Sequence, residues 1–360
     1  MNQLRKESKA SGDPNQQLHF VKYLFEVSYH IKPTLPNLER AQKLKTSLEE
    51  EAHKILKKLA SYKTACAPAQ LFLAECYQYG NHGLKQDQSK AFSLFLQGSK
   101  LGHAECTCRV AACYESGQGV KRNQRYAIQF YRKSATLRNP SAMYKLGTIA
   151  LNAQNHREAV SWLLRATQLA DEKNPHALHK LGSLYESSKT PGIIMDLDYA
   201  RELFSRAALL GYAPSQYKLG WAYEHAQLNC PLDPKRSVAW YLLAAEQGDG
   251  GAALALSGWY FTGAKGVLPQ RDKEAYLWAK RAADKQVPDA EYAVGYYTEL
   301  GLGVARNIQE AQSWYLRASN QGDQKATERL KVLLEDERES SLQKNKFEDR
   351  NFKNSECILM

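Results

Sequence analysis

The middle of this chain carries two superimposed periods. Within short segments, apolar and polar positions alternate as one face of a helix does. Between segments, a marker small residue recurs at Ala74, Ala111, Gly147, Gly182, Gly220, Gly258 and Gly295, at intervals of 37, 36, 35, 38, 38 and 37. A second small residue lies five places earlier (Ala69, Cys106, Ala142, Ala177, Ser215, Ala253, Ala290). An aromatic or small residue lies three places later (Tyr77, Tyr114, Ala150, Tyr185, Tyr223, Phe261, Thr298). Each segment is followed by another with an aromatic pair and then a small pair, as in Trp240-Tyr241 before Ala244-Ala245 and Trp314-Tyr315 before Ala318-Ser319. The unit is therefore helix, turn, helix, repeated seven times over 67–325. Small residues let two helices approach, and the aromatic of one fills the space left by the other. Such units share one continuous core, so a single unit is not stable alone.

Two of the turns read Gly-x-Gly-Val, at 117–120 and 301–304. Glycines there suit helix-ending positions with positive φ. With no strand before them and no Gly-Lys-Ser/Thr after them, they are not phosphate loops. The ends of the array read as caps. Leu38, Ala41, Leu44, Leu48, Ala52, Ile55 and Leu59 fall three or four apart, and Pro33 and Pro36 separate them from an apolar segment over Leu18–Ile31. Ala326, Leu330, Leu333 and Leu334 mark a last helix. The predicted layout is a disordered segment at 1–15, an N-terminal helical cap at 16–66, the repeats at 67–325, a C-terminal capping helix at 326–340 and a flexible tail at 341–360.

Composition adds exclusions. The 360 residues are 43% hydrophobic and 24% charged, ordinary values for a folded soluble chain. No run approaches the roughly 18 apolar residues of a membrane span, and the first residues show no apolar signal core, so a cytosolic chain is expected. Six of the seven cysteines fall inside helical patterns as small hydrophobes. Cys106-x-Cys108 has neither the zinc nor the redox spacing, and no metal or cofactor is expected. The net charge of +11 comes from basic residues spread along the chain, outside any nucleic-acid motif. Nucleic acid is therefore not expected, and a basic surface facing an anionic membrane leaflet explains the sign equally well.

The sequence contains no HExxH, GxSxG or P-loop motif, so no catalytic constellation is expected. His176 and His179 lie three apart without a third ligand, and Asp196 and Asp198 read as the start of a helix. One surface pattern points to binding. The residue after the marker position is Trp221, Trp259 and Tyr296 in three consecutive repeats, against Glu75, Ala112, Thr148 and Ser183 earlier. On a helical wheel it points away from the small-residue stripe. The three aromatics then form a ladder that anchors a protein partner; the alternative is packing between neighbouring first helices.

The last four residues, Cys357-Ile358-Leu359-Met360, form a C-a-a-X box whose terminal Met favours farnesyl. The expected product carries a farnesyl thioether and methyl ester on Cys357, with Ile358, Leu359 and Met360 removed. One lipid chain binds membranes only marginally. Lys344–Glu356 holds four basic and three acidic residues, too little for a polybasic anchor. The second membrane signal is then a membrane-embedded protein held by the repeats.

The pattern A..xLG..Y..G.GV......A..WY..AA..G resembles the Sel1-like repeat, a relative of the tetratricopeptide repeat. AMYKLG (142–147), PSQYKLGWAYE (214–224), CPLDPKRSVAWYLLAAEQG (230–248), ALSGWYFTGAKGVL (255–268) and AEYAVGYY (290–297), with the C-a-a-X box, resemble the fungal chitin synthase regulatory factors. The resemblance implies an all-α, right-handed α-α superhelix with helical caps. It also implies a non-catalytic adaptor that recruits or activates an integral-membrane chitin synthase, or binds its trafficking factors, for septum and cell-wall synthesis. Its place would be the cytoplasmic face of the plasma membrane at the division septum. Family members often carry long low-complexity extensions, which are short here. The alternative is a general Sel1-repeat scaffold for a membrane-associated signalling or protein-degradation complex.

Overall fold

A computed structural model describes residues 2–31, 38–61, 66–187 and 190–339. Helix follows helix throughout: α1 Asn2–Ser11, α2 Pro14–His30, α3 Leu38–Leu59, α4 Ala67–Tyr79, α5 Gln88–Lys100, α6 Ala104–Ser116, α7 Gln124–Thr136, α8 Pro140–Asn152 and α9 His156–Gln168. Then come α10 His176–Glu186, α11 Leu197–Leu209, α12 Ala213–Glu224, α13 Pro234–Glu246, α14 Gly250–Thr262, α15 Asp272–Ala283, α16 Pro288–Leu300 and α17 Ile308–Asn320. A last helix, α18, runs over 324–339. Among the described residues there is no strand, only a lone bridge between Ala264 and Leu268. The fold class is all-α. The chain divides into two compact units, Met1–Ala177 and Leu178–Met360.

Local chemistry sets the helix ends. Asp87, Asp196 and Asp233 each accept a hydrogen bond from a backbone N–H three residues on, at 2.9–3.0 Å. Asn139 and Asn307 do the same for α8 and α17. A side-chain acceptor at this place satisfies an N–H that the helix itself leaves unpaired. Proline occupies the first turn of α8, α12, α13 and α16, where its missing N–H costs nothing. Gly117 and Gly301 end α6 and α16 in the left-handed conformation.

Within each unit the helices pack as antiparallel-style pairs laid side by side. In the first unit these are α4 with α5, α6 with α7, and α8 with α9; in the second, α12 with α13, α14 with α15, and α16 with α17. The small-against-large rule is visible atom by atom. A Cβ added to Gly220 would sit 2.6 Å from the Tyr241 ring, and one at Gly295 would sit 2.8 Å from Tyr315. Both tyrosines are fully buried, and each hydroxyl finds a carboxylate four residues beyond its glycine. Tyr241 donates to Glu224 at 2.6 Å and Tyr315 to Glu299 at 2.8 Å. In the first unit Tyr131 donates to Glu115 at 2.6 Å. The next element along the chain then supplies a cation: Lys145 lies 3.3 Å from Glu115 and Lys218 lies 2.6 Å from Glu186, both from the following repeat, and Arg329 of the capping helix α18 grips Glu299 with two nitrogens. Glu115 and Glu299 are thus each held both by a tyrosine of their own repeat and by a cation of the next element.

The first unit begins with α2 and α3, which bury Leu18, Val21, Leu24, Phe25, Leu48, Ala52, Leu56 and Leu59 against α4. The described part of the segment predicted as disordered, 2–15, is a correction: it holds α1 and, after Gly12 and Asp13, the first residues of α2. The segment has no apolar stripe to betray it. It is held instead by an ion pair between Arg5 and Glu51 of α3 at 2.6 Å, and by Asp13, which caps α2. At the other end Ala326 and Leu333 of α18 pack with Ala311, Tyr315 and Ala318.

The marker residue of the sixth repeat is a second correction. Gly220 and Gly295 are the eighth residues of α12 and α16, and the eighth residue of α14 is Ser257, not Gly258. Leu256 takes the place of Leu219 and Val294 in front of it. Ser257 is buried with its hydroxyl 3.0 Å from that of Tyr297, while Gly258 is exposed with open space around it.

Cys66, Cys76, Cys106, Cys108, Cys113 and Cys230 are all buried free thiols. Burial pushes Cys76, Cys106 and Cys108 up to about 12, so they remain protonated hydrophobes at neutral pH. Among the described residues no three His, Cys, Asp or Glu side chains group to hold a metal. His176 packs on Tyr144, and His179 pairs with the Ser215 hydroxyl at 2.8 Å beside Phe204 and Tyr212. Asp196 caps α11, and Asp198 pairs with Arg201 at 2.9 Å.

Candidate partner-binding face

The first helices of three consecutive repeats in the second unit, α12, α14 and α16, carry the aromatics singled out in the sequence. Trp221 is the ninth residue of α12. It is half-buried, packed on the cluster of Val238, Tyr241 and Leu256. Lys218 and His225, one turn before and one turn after, cover its ring: the Lys218 Nζ lies 4.4 Å from the ring centroid, and the His225 ring stacks at 5.3 Å. Lys218 is itself tied to Glu186, so the indole is held in one place by cation–π, stacking and ionic contacts.

Tyr296, the ninth residue of α16, is 36% exposed. Its ring meets Phe261 edge-on at 6.4 Å and Tyr297 at 6.1 Å. Trp259 does not join them. Because the repeat register in α14 is set by Ser257, the ninth residue is Gly258 and Trp259 is the tenth. The tenth position in α6, α12 and α16 holds Cys113, Ala222 and Tyr297, all buried. Trp259 accordingly packs on the same core cluster as Trp221, and its Nε1 is buried without a hydrogen-bond partner among the described residues. The expected three-rung ladder is thus two aromatic rungs, Trp221 and Tyr296, with an open place at Gly258 between them in the repeat order. Lys218 and His225 are the members that the sequence reading missed. Their signal was available, since residues three before and four after Trp221 share its helix face.

The box formed by Cys357, Ile358, Leu359 and Met360 lies outside the described residues.

The Sel1 repeat profile matches residues 67–103, 104–139, 140–171, 175–212, 213–249, 251–287 and 288–323. The chain belongs to the Sel1 repeat family. This Sel1-repeat chain is 35% identical, over 99% of its length, to Chitin synthase regulatory factor 3 of Schizosaccharomyces pombe. It is 33% identical, over 91% of its length, to Chitin synthase regulator SKT5 of Saccharomyces cerevisiae. It spans 39% of the first relative and 49% of the second. The crystal structure of a Sel1 repeat protein from Oxalobacter formigenes superposes with a TM-score of 0.60 at 22% identity, covering 92% of this chain and 90% of that one. At that identity the likeness is one of fold alone.

Proposed function

We propose that this Sel1-repeat chain is a non-catalytic regulator of a membrane-embedded chitin synthase, which it recruits or activates for septum and cell-wall synthesis. The observation that carries this reading is the match of nearly the whole chain, all seven repeats included, to relatives named as chitin synthase regulators. The partner face is that of α12 and α16, with Trp221 and Tyr296 as anchors. Farnesyl on Cys357 holds the protein at the cytoplasmic face of the plasma membrane. Affinity purification from solubilised membranes tests the reading: a chitin synthase enriched with the bait is the expected result. Signalling or ubiquitin-pathway proteins in its place would move the assignment to a general scaffold.

Trp221 and Tyr296 share the ninth position of their helices, and Trp259, at the tenth, does not. Trp221→Ala and Tyr296→Ala are expected to weaken synthase binding by about 2 kcal/mol each, roughly thirtyfold. Trp259→Ala should instead cost about 2 kcal/mol of folding stability, below the roughly 3–5 kcal/mol of a fully buried tryptophan because Trp259 is only partly enclosed. Pull-down titrations and urea unfolding on the same three variants decide it. Intact binding with Trp221→Ala would remove this face from the assignment.

Cys357→Ser is expected to shift the protein from the membrane toward the soluble fraction, only in part, because a bound synthase still retains it. Fractionation with intact-mass measurement checks this, and an unmodified Cys357 in the wild-type protein would discard the anchor.

A further inference from the structure

The positive charge is not evenly spread, contrary to the expectation from the sequence. Residues 1–177 hold 26 Lys and Arg against 14 Asp and Glu, a net +12; residues 178–360 hold 23 against 24, a net −1. The excess concentrates further. Residues 116–157 contain eight Lys and Arg and no Asp or Glu. This stretch enters, forms and leaves α7, then covers α8.

The acidic groups around it are already engaged. Glu115 accepts from Tyr131 and Lys145. Glu105 pairs with Arg109 at 3.0 Å and accepts from Asn139. Glu158 lies 3.6 Å from Arg132. Lys121, Arg122, Arg125, Lys133 and Arg138 are all exposed, and none is in an ion pair among the described residues. Lys133 reaches only a backbone oxygen, that of Ser99 at 3.3 Å. These cations follow the solvent side of one helix. Lys121, Arg122 and Arg125 stand at its start, Arg132 and Lys133 toward its end, and Arg138 just beyond, over about 20 Å. Arg125 and Arg132 are two turns apart on one face. Exposed apolar groups lie among them: Tyr126, Leu137 and, at the end of α5, Leu101.

We propose that this face of α7 docks on the anionic surface of a lipid bilayer. Cations spaced along an exposed helix meet headgroup phosphates, an exposed tyrosine suits headgroup depth, and short aliphatic side chains reach the boundary below. A single-stranded nucleic acid is the weaker fit, because it needs a series of aromatic platforms and Tyr126 is the one exposed aromatic in the stretch. The inference does not depend on farnesylation. It supplies, from the repeats themselves, a second membrane signal that a single lipid chain needs.

The test uses the full chain carrying Cys357→Ser, so that no lipid contributes. Co-sedimentation is measured with phosphatidylcholine vesicles and with vesicles containing about one-third phosphatidylserine. Partition onto the anionic vesicles is expected to be at least tenfold stronger and to fall as salt rises. Each cation near such a surface multiplies partition roughly fivefold, so R125E/R132E/K133E, which removes three cations and adds three anions, should lower it by at least about a hundredfold. R125Q/K133Q leaves the Arg132–Glu158 pair in place and should lower it about twentyfold, which covers the case of a misfolded triple variant. K235E/K273E/K325E makes the same change in net charge on exposed sites of the second unit and should leave partition nearly unchanged. Equal binding to both vesicle types, or equal losses in the two triple variants, overturns the proposal. So does capture by single-stranded RNA at lower concentration than by vesicles.

Discussion

Gly303→Val is expected to be the most damaging single substitution in the second unit. Gly303 has φ of +70°, and a Cβ there would lie 2.2 Å from the carbonyl oxygen of Asp272 and 2.7 Å from the Cα of Lys273. Those atoms are backbone at the start of α15, the second helix of the preceding repeat. A rotamer change cannot relieve the clash, so either the turn or the inter-repeat interface must open. Gly119 repeats the geometry in the first unit, 2.0 Å from the carbonyl oxygen of Gln88 at the start of α5, with φ of +71°. A left-handed conformation alone costs a β-branched residue about 1–2 kcal/mol. Together with overpacking against fixed backbone, the loss should reach about 4 kcal/mol. Gly211→Val is the control, because Gly211 has φ of +85° and open space, leaving only the conformational cost. Equal losses in urea unfolding for the two variants would show that the close approach at Gly303 contributes nothing.

Removing the Glu299 side chain is expected to cost about 3 kcal/mol. The carboxylate is buried, accepts from Tyr315 of α17 and is gripped by Arg329 of α18. Its loss strands a buried phenol and removes the partner of a cation, and orphaning a charged network costs about 3–5 kcal/mol when burial is complete. Arg329 is partly exposed, which places the figure at the low end. The Arg329 hydrogen bonds hold the Glu299 carboxyl below its ordinary range, outweighing the upward push of burial, and the Tyr315 hydroxyl adds to the lowering. A group whose folded pKa is depressed contributes stability above its unfolded pKa and loses it as pH falls through the folded value. The melting temperature of the wild type should therefore fall on acidification below about pH 4, and that of Glu299→Gln should fall less. Parallel acid-side slopes for the two proteins would contradict this account.

The repeat was legible because it rests on residue size, and size is written in each residue. Gly220 beneath Tyr241 and Gly295 beneath Tyr315 follow from the small and aromatic periods alone. The register of α14 was misread because Ser257 and Gly258 are both small; Leu256 in front of them decides between the two, and its burial shows it. That single step takes Trp259 off the ladder position and sets it, partly enclosed, against the core cluster. The helix α1 was not legible, since Arg5 finds Glu51 only after α3 has folded back beside it. The Glu–Tyr–cation clamps were equally hidden, each being assembled from one repeat and the element that follows it. The basic face of α7 needed no coordinates for its composition, only a count of charge by segment. Its exposure and its unpaired state did need them.

Each helix in either unit packs against helices one or two places away along the chain. Arg5 and Glu51, joined by hydrogen bonds among the described residues, lie only 46 positions apart. The contacts among the described residues reward folding without the closure of a long loop. The entropic cost of bringing partners together rises only slowly with separation, and topologies this local form quickly. Nucleation in any pair of repeats can spread outward in both directions, one junction at a time. Length then carries little kinetic penalty, and the gain or loss of one repeat changes the junction where it happens while leaving the distant ones in its unit as they were.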